Sequence, residues 1–389
     1  MKPEDVFGKD YDTFFELDPF NSNNLVEGFI SRKSNEYYGA LIITKVNNKK
    51  VTPQLIMSSP KMHYPFTSRQ DGSRNYLFPS AKEIEVYEKL DGTNVVSYSY
   101  TDGKDTYYTY KTRLRPFLKS GRFGDFLSMW KEIATPYMPA IKRLMTEKQC
   151  NLAFEMFGSR NPHLLMYKVP LTFSLLFGVT NTGRILSPSK LQYTLGKGKM
   201  GMTDKMIGNL PAAPLLETID KDYVWNYERL QKEFQDNLKI EDEGYYSGRE
   251  GAVWYLHCID DRCIQIKMKP EAIEAIHFSA GAKSGIGKNT VLATVYNSYE
   301  NTDTPTVEFI KQLLIEEFKP EIVEANHYLI EKCVAFVAGE MNFRQDVLKE
   351  YKELGKSIIL EKTEVMRALS LKFERNKMKK VYSIVKSFG

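Results

Sequence analysis

The 389-residue sequence is poor in cysteine and histidine, nearly balanced in charge, and free of long apolar runs. Its four cysteines, Cys150, Cys258, Cys263 and Cys333, form no C-x-x-C pair and stand at no zinc-finger spacing from a histidine. That excludes a disulfide framework and a structural zinc site, and it fits a reducing compartment. The five histidines show no ligand spacing either, so no histidine metal site is expected. Lys+Arg 54 against Asp+Glu 49 leaves +5, too little for a chain that coats nucleic acid by bulk charge. A polyanion would have to bind at a local site. No apolar stretch approaches the ~18 residues of a membrane span, and the charged opening MKPEDVFGKDYDTFFELDPF holds no signal-peptide core. No membrane partner is therefore expected, and the expected location is the cytoplasm, a host's cytoplasm if the chain is viral. Internal repeats, low-complexity tracts and Gly/Ser linkers are likewise missing.

What is present is ordinary globular usage, 42% hydrophobic and 26% charged, in a chain long enough for two or three domains. Aromatics reach 13%, with Tyr 24 and Phe 22. Such rings fill cores and pair across strands, or serve as platforms for nucleobases. From about residue 36 to 269, β-branched and aromatic runs alternate with polar turns, as in GALIITKV-NNKK-VTPQLIM and NVVSYSY-TDGKD-TYYTYKTR. Asp102-Gly103 and Asp260-Asp261 are hairpin turns in this reading. A helical insert is expected at 118–148, where Phe126, Met129, Trp130, Ile133, Met138, Ile141 and Leu144 recur at helical spacing. Beyond Pro270 the pattern becomes helical. Thr304-Pro305 caps a stripe through Val307, Ile310, Leu313, Leu314 and Phe318. Ile322, Ala325, Leu329, Cys333 and Phe336 make a second stripe, and Met378, Val381, Val385 and Phe388 a third. The last helices carry Arg367, Lys372, Arg375, Lys377, Lys379, Lys380 and Lys386, either a solvated basic face or a phosphate contact.

Two segments invite a phosphate reading. AKSGIGKNT, residues 282–290, looks like a P-loop, but Ile286 stands where the pattern counted from Gly281 needs glycine, and Asn289 replaces the hydroxyl after Lys288. It reads as a basic connector. IEVYEKLDGTNVVSYSY, residues 84–100, places Lys89 at the end of a strand, followed by the turn Asp91-Gly92-Thr93-Asn94 and a second strand. A lysine at such a corner is either an ordinary surface amine or a nucleophile, and a nucleophilic amine must lose its proton. That calls for nearby positive charge, a metal or desolvation. Three further elements follow in order. LAFEMFGSRNP puts Glu155 at the end of an apolar strand, and SGREGAVWYL puts Glu250 at the mouth of another. IQIKMKP alternates so that Gln265, Lys267 and Lys269 share one face and Ile264, Ile266 and Met268 the other. In a cleft, two lysines on one face form a clamp for a polyphosphate.

EKLDGTN, FEMFG, EGAV and IKMK occur in the order and rough spacing of motifs I, III, IV and V of the covalent nucleotidyltransferases, the superfamily of ATP-dependent ligases and mRNA capping enzymes. The resemblance spans roughly residues 36–270. Within the superfamily the chain resembles an RNA ligase of the phage or archaeal type, since Glu and Thr-Asn flank its K-x-D-G and FEMFGSRNPHLLMY, with Glu155, Asn161 and Tyr167, is similar to the motif III region of phage-type enzymes. TYKTRLRP, with Arg113, stands where the family has its motif Ia arginine, and LTFSLLFGV, with Phe177, where it has motif IIIa. Phe177 would be an adenine-stacking ring or a core side chain.

The resemblance implies an α+β fold: an antiparallel-sheet nucleotidyltransferase domain over residues 1–272, an ATP-grasp-like ligase catalytic domain, followed by a small all-α domain over 273–389. It further implies that Lys89 attacks the α-phosphate of ATP and forms lysyl-AMP. Glu88 would then face the adenine amino group and Glu155 the ribose hydroxyl. Asn94 and Arg113 would join the ATP-binding set, with Lys267 and Lys269 on the α-phosphate and pyrophosphate. Glu250 would bind or orient Mg²⁺ or Mn²⁺. The partners would be RNA ends, a 5′-phosphate and a 3′-hydroxyl. A GTP-dependent capping enzyme, a DNA ligase, and a non-catalytic nucleic-acid binder with a ligase-like fold are the alternatives.

Overall fold

The computed structural model describes residues 1–21, 24–68, 73–121, 124–192, 206–207, 210–240, 246–273, 286–315 and 318–388. The chain divides into two compact units, residues 1–120 with 126–277, and residues 121–125 with 278–389. The first is built on antiparallel sheets and the second is helical among its described residues, so the molecule is α+β. No helix among the described residues is long and apolar enough to cross a membrane.

The first unit opens with a meander of four strands, β1 (Tyr11–Leu17), β2 (Leu25–Ser31), β3 (Leu41–Val46) and β4 (Lys49–Ile56). Strand structure thus begins well before residue 36, where sequence periodicity placed it. The reason is that β1 is an edge strand burying only Phe14, too little alternation to register as a pattern. The β3–β4 turn is Asn47-Asn48, both at positive φ (53° and 62°), which suits the right-handed twist of a two-residue hairpin.

Two further sheets frame the centre. One combines β6 (Thr93–Thr101), β7 (Thr106–Lys111), β8 (Cys150–Phe157), β9 (Thr172–Thr180) and β10 (Ile185–Leu186) in the order β10-β9-β8-β6-β7. The other combines β5 (Ala81–Lys89), β11 (Leu215–Ile219), β12 (Gly251–Cys258) and β13 (Cys263–Met268) in the order β11-β5-β12-β13. Both expected hairpin turns form: Asp102 Oδ1 accepts the N–H groups of Lys104 and Asp105 at 2.9 Å each, and Asp261 takes the left-handed φ of 61°.

Alternation decides how these sheets stack. Tyr87 and Tyr255 face Ala153, Phe177 and Val179 in one core cluster between the two sheets. On the other face of the second sheet, Ile84, Val86, Trp254, Leu256, Ile266 and Met268 are covered by Tyr227, Leu230 and Phe234 of a helix, Tyr223–Asn237. That helix lies inside the stretch read as hairpins from sequence. Its buried positions recur at three and four residues, but two of them, Tyr227 and Gln231, carry polar groups that mask the period. The expected helical insert is present as Phe126–Ala134 and Met138–Lys148, separated by a 3₁₀ turn over Thr135–Tyr137 where Pro136 lacks an N–H to continue the helix.

In the second unit, the 28-residue helix His327–Leu354 spans about 42 Å and serves two clusters in turn. Ile330, Cys333, Val337 and Met341 pack with Val291, Val295, Ile310 and Leu314, and Val347 and Tyr351 with Val365, Leu369, Val381 and Val385. The second stripe read from sequence is therefore displaced. Ile322 and Phe336 are exposed, and the buried line runs through Val323, Ile330 and Val337 instead, because Ala325 ends a short helix before the long one starts. The connector reading of residues 282–290 lies, through residue 285, outside the described residues. Lys288 opens the helix Lys288–Ser298.

Candidate active site

Three neighbouring strands end together. Lys89 is the last residue of β5, and its register partner is Gly251 at the start of β12. Ala252 is in turn paired with Met268 at the end of β13. Lys89, Glu250 and Lys269 consequently emerge together at one end of the strands. Gly251 makes this closeness possible: at φ 157° it approaches the end of β13 so tightly that a Cβ would lie 2.0 Å from the Met268 carbonyl oxygen. The Gly92 backbone does the same against β8, where a Cβ would lie 2.2 Å from Met156 O. That contact brings the turn after Lys89 against the strand that carries Glu155.

The Glu250 carboxylate, 3% exposed, bridges two ammonium groups. Lys89 Nζ donates to Oε2 at 2.5 Å and Lys269 Nζ lies 2.9 Å from Oε1. Burial raises the Glu250 pKa, but Lys269 and Lys89 outweigh it and hold the carboxyl down at about 2. For Lys89 burial favours the neutral amine, yet the carboxylates of Glu250 and Glu155 prevail and its pKa is raised. Here the structure departs from the sequence expectation of a depressed lysine. Positive neighbours are present, but the nearest charge to Lys89 is negative, so the resting group is an ammonium.

Asp91 sits behind this pair, 8% exposed, with Oδ2 accepting the N–H groups of Leu164 and Leu165 at 2.7 and 2.6 Å. Its own N–H donates to the Tyr167 hydroxyl at 2.9 Å. Burial first, and Glu250 second, push its pKa up to about 7 against those amides and the two lysines. Glu155, also 8% exposed, pairs in register with Asn94 of β6 and acts on Lys89 through its charge. Asn94 is fixed at both ends, Nδ2 donating to Phe154 O at 3.1 Å and Oδ1 accepting from Ser59 Oγ at 2.7 Å. Asn161 Nδ2 bonds Met156 O at 2.8 Å and Thr93 Oγ1 at 3.1 Å. These bonds close the loop that follows β8.

Four residues singled out from sequence stand apart from this cluster. Glu88 pairs in register with Ala252, on the face of Val86 rather than that of Lys89, and its carboxylate lies 3.7 Å from Arg249 Nε. Lys267 shares the face of Lys269, with its ammonium over the Tyr64 ring at 4.5 Å. Phe177 is 4% exposed within the cluster between the sheets. Arg113 lies over the Tyr38 ring at 5.5 Å, and its buried Nε has no hydrogen-bond partner among the described residues.

Sequence reading missed Lys111, fully buried, whose Nζ lies 2.8–3.1 Å from the carbonyl oxygens of Gly39, Thr112 and Arg113 and from Ser58 Oγ. Burial, with Arg113 and Arg32, drives its pKa well down. It ties the Arg113 backbone to the segment carrying Ser59 and hence to Asn94. No alternation in TYYTYK marks it, because Thr109, Tyr110 and Lys111 are all buried at the end of the strand.

No protein-family model and no curated protein matches the sequence. Among solved structures the chain is similar to an archaeal ATP-dependent RNA ligase, at 14% identity over 89% of this chain and 77% of that one with a TM-score of 0.44. It is similar to a putative ATP-dependent DNA ligase from Aquifex aeolicus, at 13% identity over 90% and 79% with a TM-score of 0.41. A Naegleria gruberi RNA ligase structure with PPi matches at 16% identity over 51% of this chain and 53% of that one, with a TM-score of 0.34.

Proposed function

We propose that the chain is an ATP-dependent RNA ligase that works through a lysyl-AMP at Lys89. The observation that carries this reading is the buried Glu250 bridge, with Lys89 and Lys269 on the two oxygens of one carboxylate at 2.5 and 2.9 Å. Two ammoniums on one face, released from a shared carboxylate, suit the negative phosphates of a nucleotide. The RNA substrate is supported by the residues flanking K-x-D-G in EKLDGTN and by the helical character of the described residues after 273.

In the first step the Lys89 nitrogen forms a bond to the α-phosphorus of ATP as the bond from phosphorus to the bridging oxygen breaks. Pyrophosphate leaves with the electron pair, and the amine gives up a proton. The resting ammonium must first be neutralised. A triphosphate entering beside Lys269 draws that lysine from Glu250, and the Lys89 proton passes to water before the attack. Lys267 and Lys269 neutralise the departing charge, Glu155 meets the ribose, and Asn94 and Arg113 complete the nucleotide contacts. Arg113 brings to this a buried donor that no described residue satisfies. Glu88, which the register turns from Lys89, and Phe177, packed between the sheets, carry no step in this reading. An RNA 5′-phosphate then takes the AMP, and a 3′-hydroxyl displaces it to join the ends.

Among the described residues no three ligating side chains converge, and both Glu250 oxygens face lysines. This donor set would fit a divalent ion brought by the nucleotide, with Glu250 as the residue that would hold it. Bound there, the ion would neutralise charge on the non-bridging oxygens. Chelation by EDTA is accordingly expected to abolish adduct formation, and added magnesium or manganese to restore it.

The test is mass spectrometry of the protein after incubation with ATP or GTP and magnesium, followed by peptide mapping. An AMP adduct on Lys89, and sealing of RNA bearing 5′-phosphate and 3′-hydroxyl ends, are expected. Labelling from GTP alone would replace this reading with a capping enzyme, and no adduct with either nucleotide would leave a binding protein.

A further inference from the structure

Strand β13 lies at the edge of its sheet, and on its outward side the described residues place an isolated parallel bridge from His63 to Ile266 rather than a further strand. Its outward backbone groups are met by one backbone carbonyl and by side chains of the helix. Lys267 N–H donates to His63 O at 3.0 Å, Lys267 O accepts from the Tyr227 hydroxyl at 3.2 Å, and Lys269 O accepts from Gln231 Nε2 at 2.7 Å. One turn further along the same helix, Gln235 Oε1 accepts the Ala272 N–H at 2.8 Å. Tyr227, Gln231 and Gln235 stand at i, i+4 and i+8, on one line of the helix, and grip positions 267, 269 and 272 in sequence.

Gln231 is the central rung. It is 4% exposed, and its other end is also fixed, Oε1 accepting from Arg74 Nη1 at 2.5 Å while the Arg74 guanidinium rests 4.4 Å from the Phe66 ring centroid. A glutamine in a core position is costly unless both ends are bonded, and here both are. Its amide therefore has one orientation, and the Lys269 carbonyl has one place to sit. Lys269 in turn holds Glu250, which holds Lys89.

We propose that Gln231 is a positioning residue for nucleotidyl transfer: it sets Lys269 through the backbone and, through Glu250, the resting place of Lys89. Tyr227 does the same for Lys267. The proposal rests on the ligase reading for its kinetic consequence, but its structural half does not. A mere cap on a sheet edge would stabilise the fold without any special link to Lys269.

The test is a double-mutant cycle on single-turnover AMP transfer, with Gln231→Met alone, Lys269→Ala alone, and both. Gln231→Met is expected to slow transfer about 10-fold, and to cost less than about 2-fold once Lys269 is alanine, because the two changes act on the same group. Equal fold-losses in both backgrounds would overturn the proposal and leave Gln231 a general stabiliser. Should Gln231→Met not fold, Tyr227→Phe, which removes only a hydroxyl, enters the same cycle with Lys267→Ala under the same criteria. A measurement on the nucleotide-free protein separates this inference from the ligase reading. In competitive amine acylation read by mass spectrometry, Lys269 should react about 10-fold faster in Gln231→Met (for Lys267, in Tyr227→Phe) while the exposed Lys104 is unchanged. Unaltered labelling sinks the positioning role, whereas a wild-type protein that takes up no AMP sinks only the ligase reading.

Discussion

At the scale of single residues, charge geometry makes Lys89 an ammonium at rest, and this has a kinetic consequence. Only the amine attacks, so the adenylylation rate is expected to rise about tenfold per pH unit from about pH 6 towards about pH 9, under saturating ATP in single turnover. A flat profile there would mean that a step other than lysine deprotonation limits the reaction. Lys89→Ala should remove the adduct entirely. It leaves the buried Glu250 with one cation instead of two, so a stability loss of about 1–3 kcal/mol is expected, read by denaturant titration. Asp91 offers a test through stability alone. Its folded pKa of about 7 is above the unfolded value of 3.8, so the native state keeps a proton that the unfolded chain releases. The stability associated with this group is full below 3.8 and is lost as pH rises through about 7. Asp91→Asn keeps an oxygen for the Leu164 and Leu165 amides and cannot ionise, so its melting temperature should fall less than the wild type's across that window. Lys89, Glu250 and Lys269 were legible in the sequence because each stands at the end of a strand pattern. The burial of Asp91 was not: it depends on amides more than seventy positions away, brought over by the loop after β8.

At the scale of elements, the site exists because β5, β12 and β13 end in register, and the glycine between Glu250 and Ala252 lets β12 and β13 close. Gly251→Ala places a Cβ against Met268 O, so the strand ends must part at Lys269. The expected result is a stability loss of about 1–3 kcal/mol together with a loss of adduct formation larger than that of a distant variant equally destabilised. Measuring both quantities on the same preparation checks it. Strand hairpins were readable from turn chemistry, at Asn47-Asn48, Asp102-Gly103 and Asp260-Asp261. The helix Tyr223–Asn237 was not read, because Gln231 and Tyr227 face inward to bond an edge strand and so interrupt its apolar stripe. The same two residues carry the positioning role proposed for that helix.

At the scale of the whole molecule, the near-balance of charge is met in part by ion pairs. Of the basic residues near the C-terminus, Lys372 lies 3.3 Å from Glu350, Lys377 3.2 Å from Glu374, and Lys380 pairs with Glu340. The basic face read from sequence is thus partly neutralised in place, as Lys269 is by Glu250. The two units also have separate cores, with the clusters around Tyr87, Trp254 and Ile43 in the first and those around Val337 and Val381 in the second. All nine site residues expected from sequence belong to the first unit. A fragment of residues 1–277 is therefore expected to fold by itself and to form lysyl-AMP within about tenfold of the full chain's rate, since no described atom of the Lys89–Glu250–Lys269 bridge comes from the second unit. Sealing of RNA ends by the same fragment should be weaker than by the full chain if the helical unit contributes RNA contacts. A folded fragment, by circular dichroism and a cooperative melt, that takes no AMP while the full chain does would show that the first unit needs the second for chemistry.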